Sequence, residues 1–174
     1  MTFTDTHCHL ADPKLADTLP AVLAEAQAVG VARFIVPATS PKDWQAVAQL
    51  ERPSENIHIA LGIHPWFSDG LNEAAFQELE KELIRHPQAW VGEIGLDFYG
   101  KEQTQAQRDT QTDVFIRQLI LAQTLNRRVI IHNLKATAAI SAAAKTAGFT
   151  RGGIVHAFSG SVEEARILVK LGFK

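Results

Sequence analysis

Trp90-Val91-Gly92-Glu93-Ile94-Gly95-Leu96-Asp97 is an apolar run with a carboxylate set into its middle. The run reads as a strand, and an unpaired carboxylate inside such a strand costs several kcal/mol, so Glu93 needs a partner. No lysine or arginine lies in the run itself. Its charge is therefore met either by a basic side chain from another element or by a metal cation. Gly92 and Gly95 flank the carboxylate and suit close packing of groups around it.

Outward from this run, other short apolar, β-branched stretches begin near Phe3, Phe34, Ile57, Val129, Ile154 and Gly172, with helical patterns between them. The rhythm is strand then helix, repeated. Ser40-Pro41 reads as an N-cap followed by proline at the first helical position, where its missing N–H costs nothing. Thr104 with Gln107, and Ser161 with Glu164, have capping-box spacing. Phe76, Leu79 and Leu83 make one apolar stripe, which predicts a helix ending at Arg85 or His86, before Pro87. Gly30 and Gly148 are placed to close helices in a left-handed conformation.

With 46% hydrophobic and 21% charged residues, the 174-residue chain suffices for one domain, 1–174, with a full core. Seventeen Lys and Arg nearly balance nineteen Asp and Glu, so charge gives no sign of a nucleic-acid partner. The single cysteine, Cys8, has no internal disulfide partner, which fits a reducing compartment. No basic N-terminal region precedes an apolar run, and no stretch approaches the length of a membrane span. These features together predict a soluble, cytoplasmic protein with no membrane association.

Strands separated by helices imply a parallel α/β sheet, either doubly wound or closed as a (β/α)8 TIM barrel. No Gly-x-Gly-x-x-Gly follows the first strand, which weakens a dinucleotide-binding sheet. The placement of ionisable residues favours the barrel. His7 and His9 end the first predicted strand, His64 follows the third, Glu93 lies in the fourth, His132 ends the fifth and His156 the sixth. In a barrel that edge is the active-site mouth, where side chains of separate strands converge. His7 and His9, two apart, share one strand face with Asp5 and can share one ion, whereas Cys8 points back as a small core residue. His132 and His156 close equivalent runs, Val129-Ile130-Ile131-His132 and Gly153-Ile154-Val155-His156. His58 begins a strand and His86 ends a helix, so both are expected to face solvent.

Asp5-Thr6-His7-Cys8-His9-Leu10, Gly62-Ile63-His64-Pro65, Gly92-Glu93-Ile94-Gly95-Leu96-Asp97 and His156-Ala157-Phe158-Ser159-Gly160 together resemble the TatD family of metal-dependent deoxyribonucleases over nearly the whole chain. Val36-Pro37-Ala38-Thr39 and the Leu171-Gly172-Phe173-Lys174 ending look closest to its YjjV branch. The resemblance implies a (β/α)8 barrel with two divalent ions at its mouth. It also implies a nucleic acid substrate, DNA or RNA, whose phosphodiester bonds are hydrolysed from the 3′ end. His7 and His9 would hold one ion, His132 and His156 the other, with Glu93 bridging them and serving catalysis. His64 would contact phosphate or support a ligand, and Asp5 and Asp97 would orient ligands or hold loops. Histidine-rich ligation suits Zn²⁺, Mn²⁺ or Co²⁺, while Mg²⁺ often supports nuclease activity in such families.

The chain departs from that family in two ways. Asn133-Leu134 follows His132 where the family usually has Ser-Arg, leaving Lys135 as a stand-in for phosphate contact or as a solvated helix-start side chain. The seventh strand should be starting at Leu171–Lys174, and a barrel typically needs about 250 residues. About six βα units are therefore expected, without the strand-eight aspartate of the family, and with a partner chain or a further C-terminal segment completing the barrel. Hydrolysis of a small amide, ester or lactone, and metal binding without catalysis, are the competing functional readings.

Overall fold

The computed structural model describes residues 1–52, 56–100 and 102–174. Six parallel strands lie in chain order: β1 (Phe3–Asp5), β2 (Val31–Pro37), β3 (Ile57–Leu61), β4 (Trp90–Asp97), β5 (Val129–Leu134) and β6 (Gly153–His156). Consecutive strands are neighbours throughout, so the sheet curls into a half-barrel, the fold class the strand-and-helix rhythm predicts. The crossovers are α1 (Leu19–Ala28), α2 (Trp44–Ala48), α3 (Glu73–Arg85), α4 (Gln105–Thr124) and α5 (Thr137–Thr146), with α6 (Val162–Lys170) following β6. Beyond α6, Phe173 bridges Gly153 in parallel, and Lys174 exchanges backbone hydrogen bonds of 2.9 Å with Gly153 and Val155.

The middle strands β4 and β5 bury both faces, whereas β1 at the sheet edge is exposed and β6 only partly buried. The larger core lies between the sheet and its helices, where Leu61, Ile63, Ile94, Phe115, Leu119, Ile131 and Ile140 are fully buried. The concave face is layered, as a barrel interior is. Its middle layer is the small apolar set Ile35, Ala60 and Ile130, flanked by Trp90 and Ile154. Two residues further along their strands, Ile130 and Ile154 give way to His132 and His156 on the same side.

Local signals explain most helix ends. Both predicted capping boxes form, at Thr104/Gln107 and Ser161/Glu164, and Phe76, Leu79 and Leu83 are the buried stripe of α3. Gly30 and Gly148 follow α1 and α5 with φ of +95° and +59°.

Four expectations are corrected. β2 starts at Val31 rather than Phe34, because Arg33 occupies an in-strand position on the concave side. Ser40 does not cap α2, which begins only at Trp44: the Asp43 carboxylate instead accepts the N–H groups of Thr39 and Ser40, tying a turn ahead of the helix. β1 ends at Asp5, so His7 and His9 lie in the turn beyond it. His58 and His86 are half-buried rather than solvent-facing: His58 lines the lower concave face, and His86 Nδ1 sits 2.6 Å from Glu51.

Candidate metal centre

Glu93 is the hub of the mouth, 2% exposed and without any Lys or Arg salt-bridge partner among the described residues. The pairing between β4 and β5 explains its aim. Val91 pairs with Val129 but Ile94 with Ile131, so β4 carries one extra residue across Gly92–Glu93. A bulge of this kind redirects a side chain and bends its strand. Close approach of β5 then requires glycine: a Cβ on Gly95 would lie 2.2 Å from the His132 carbonyl oxygen, and φ there is +134°. The flanking glycines therefore accommodate β5 rather than the carboxylate itself.

The two carboxylate oxygens face different histidines. Oε2 lies 2.8 Å from His7 Nε2. Oε1 lies 3.1 Å from His132 Nδ1 and 3.5 Å from His64 Nε2, and it also meets His156 Nε2. Two groups of ligand atoms, each within 4.8 Å of one another, result: His7, His9 and Glu93, and His64, Glu93 and His132. His156 joins the second group through its Nε2, 3.3 Å from His132 Nδ1, and its ring stacks on His7 at 3.7 Å. All six side chains line one cavity of about 420 Å³, with Thr39, Trp66 and Phe67 completing the wall.

Electrostatics follow from burial and from this carboxylate. Burial alone would raise the Glu93 pKa, yet hydrogen bonds from His132, His156 and His7 hold it well below the usual range, so it is ionised. Burial pushes His64 down to about 4 and also lowers His9, leaving both neutral at neutral pH. For His132, burial is outweighed by Glu93 and Asp97, and its pKa is raised.

Asp97 supports this arrangement from behind. Its Oδ2 lies 3.3 Å from His132 Nε2 and accepts the Trp66 indole N–H at 2.8 Å, while Oδ1 accepts the Tyr99 N–H. A carboxylate on the far nitrogen of a ligating histidine fixes ring orientation and raises its basicity. His64 differs from the other histidines. Its Nδ1 accepts the Trp66 backbone N–H at 3.2 Å, so the neutral ring carries its proton on Nε2 and presents a donor to the centre.

Two expected residues stay outside the mouth. Asp5 is exposed and accepts the His7 N–H at 3.1 Å, holding the turn that carries His7 rather than sharing its face. Lys135 is exposed, has φ of +56°, and lines a separate notch with Asn133, Thr137 and Ser161. Cys8 donates to the Ile35 carbonyl, and burial lifts its thiol to about 12, so it offers no thiolate.

Sequence reasoning missed the second layer of support. The buried Gln118 amide bonds both the N–H and the C=O of Ile63, the residue before His64, and Gln111 accepts the Asp97 N–H. Both sit in α4 on the stripe of Phe115 and Ala122, and amides inside an apolar stripe are the signal that could have found them.

The donor set fits divalent cations: imidazole nitrogens that ligate once their protons are displaced and one ionised carboxylate, enclosed on the inner side and open on the other. The "TatD related DNase" family model matches residues 4–174. The "uncharacterized metal-dependent hydrolase YjjV" of Escherichia coli K12 is 34% identical over 99% of this chain. Its crystal structure superposes with a TM-score of 0.90. The "putative deoxyribonuclease tatdn3" of Danio rerio is 29% identical over 98% of this chain. This chain spans 66% of the YjjV length and 67% of the tatdn3 length. With a family model matched from residue 4 to residue 174 and a 34% identical relative whose structure contains the same six-stranded part, the chain belongs to the TatD-related DNase family.

Proposed function

We propose that this chain carries the metal centre of a hydrolase that cleaves phosphodiester bonds of DNA, and of RNA as a second substrate, from the 3′ end. One observation carries the reading: a single buried carboxylate whose two oxygens face two separate histidine groups. Such a carboxylate is suited to bridging two cations, His7 and His9 holding one and His132 and His156 the other. A pair of divalent ions supplies an activated water and stabilises both the attacking and the leaving oxygen of an in-line displacement.

The chain's own groups supply the remainder. Glu93 and the histidines fix positions, Asp97 holds the His132 ring, and the His64 Nε2–H offers a donor to a non-bridging phosphoryl oxygen. The deoxyribonuclease name of a relative points the same way. Zn²⁺ and Mn²⁺ suit these ligands best, with Mg²⁺ as the alternative activator.

The test is a substrate panel with Zn²⁺, Mn²⁺ or Mg²⁺, comparing 5′-labelled single-stranded DNA and RNA with small amides, esters and lactones. Stepwise release of nucleotides from the 3′ end, abolished by Glu93→Ala, is the expected result. Turnover of the small esters or lactones alone would replace the nuclease reading, and metal binding without any turnover would leave only a metal-binding chain.

A further inference from the structure

We infer that Trp66 is a stacking platform for the nucleobase next to the scissile phosphodiester, an inference that rests on the nuclease reading above. Trp66 is 72% exposed, yet it is not free to swing. Its indole N–H is fixed to Asp97 Oδ2 at 2.8 Å, and its backbone N–H to His64 Nδ1 at 3.2 Å. The polar edge is thus tied down while the ring remains available, a preorganised apolar plate beside a polar centre.

The position is suited to a base. Trp66 lines the same cavity as the histidines and Glu93, with its ring centroid 5.0 Å from that of His64 and 6.5 Å from that of His132. Tyr99, also 72% exposed, donates its backbone N–H to the other oxygen of Asp97 and offers a second ring on the neighbouring loop. These loops follow β3 and β4, the middle strands of the sheet, away from its edges at β1 and β6. Stacking accepts any base, so this device grips a nucleic acid without reading its sequence.

The experiment measures binding of two phosphorothioate-linked ten-unit strands, one of thymidine and one abasic, to the Zn²⁺-loaded chain by fluorescence anisotropy. The wild type is expected to bind the thymidine strand about 5- to 150-fold more tightly, the range a stacked base supplies. Trp66→Ala should erase that preference while leaving the abasic affinity unchanged, and Trp66→Phe should keep most of it. Equal binding of both strands by the wild type, or a preference that survives Trp66→Ala, would overturn the stacking role and leave the nuclease reading standing. An equal loss for both strands in Trp66→Ala would also overturn it, marking damage to His132 through Asp97. Failure of both strands to bind the wild type would overturn the nuclease reading and this inference with it.

Discussion

At the C-terminal end of the concave face, Glu93 stands among His7, His64, His132 and His156, whereas at the N-terminal end Arg33, His58, Arg128, Arg151 and Lys174 line a cavity of about 750 Å³. The two ends share strands and are separated by the apolar layer of Ile35, Ala60 and Ile130. No Asp or Glu side chain lines the lower cavity among the described residues. His58 and His132 therefore occupy the same face of neighbouring parts of one sheet with opposite surroundings. A strand histidine becomes a candidate ligand through the carboxylate set beside it. That carboxylate is delivered by the extra residue in β4, a feature of backbone pairing rather than of the histidine's own segment.

Four substitutions and conditions sharpen this contrast, taken from the largest expected effect down. Glu93→Ala removes the group common to both histidine sets, and Zn²⁺ affinity measured by calorimetry should fall by more than the roughly 100-fold that loss of a supporting residue causes. An unchanged affinity would erase the difference between the two ends. Asp97→Asn keeps the shape but weakens the hold on His132, and Zn²⁺ affinity should drop about 10- to 100-fold. A drop matching that of Glu93→Ala would mean that Asp97 itself ligates.

The effect of pH comes next. His132 has a raised pKa, so in the metal-free chain it keeps its proton to higher pH than the ordinary 6.5, and a metal must displace it. Zn²⁺ affinity should therefore weaken as pH falls, by up to about tenfold per pH unit for each proton displaced. His64, lowered to about 4, adds nothing to that slope near neutrality. For metal-free stability the signs separate: the His132 contribution is fully present below 6.5 and lost as pH rises through its raised value. The depressed Glu93 contributes above the ordinary 4.5 and is lost only as pH falls towards its own lower value. Chemical denaturation across pH checks both. The smallest effect belongs to His58→Ala, which should leave Zn²⁺ affinity unchanged and stability within about 1 kcal/mol in the same measurements.

The buried strands were legible because β4 and β5 are covered on both faces and read as continuous apolar runs around a few polar residues. The capping boxes and the α3 stripe were legible because they are local. What escaped depends on contacts between distant segments. Arg33 looks like a surface residue until the concave face is seen to continue beneath Ile35. The start of α2 is delayed by a carboxylate three and four residues downstream of the N–H groups it accepts. His7 and His9 read as strand residues, and only the pairing of β1 with β2 shows the strand stopping at Asp5. For the site, Glu93 and the strand-end histidines were visible one by one. The split of Glu93 between two histidine groups, the donor tautomer of His64 and the tethering of Trp66 by Asp97 are three-dimensional facts without a motif of their own.

The most direct test is anomalous scattering from crystals of the chain soaked in Zn²⁺ or Mn²⁺, collected on either side of the metal's absorption edge. Two anomalous peaks are expected to flank the Glu93 carboxylate, one beside His7 and His9 and one beside His132 and His156. Peaks at the arginine-lined end of the concave face, or an empty mouth at saturating metal, would contradict this expectation.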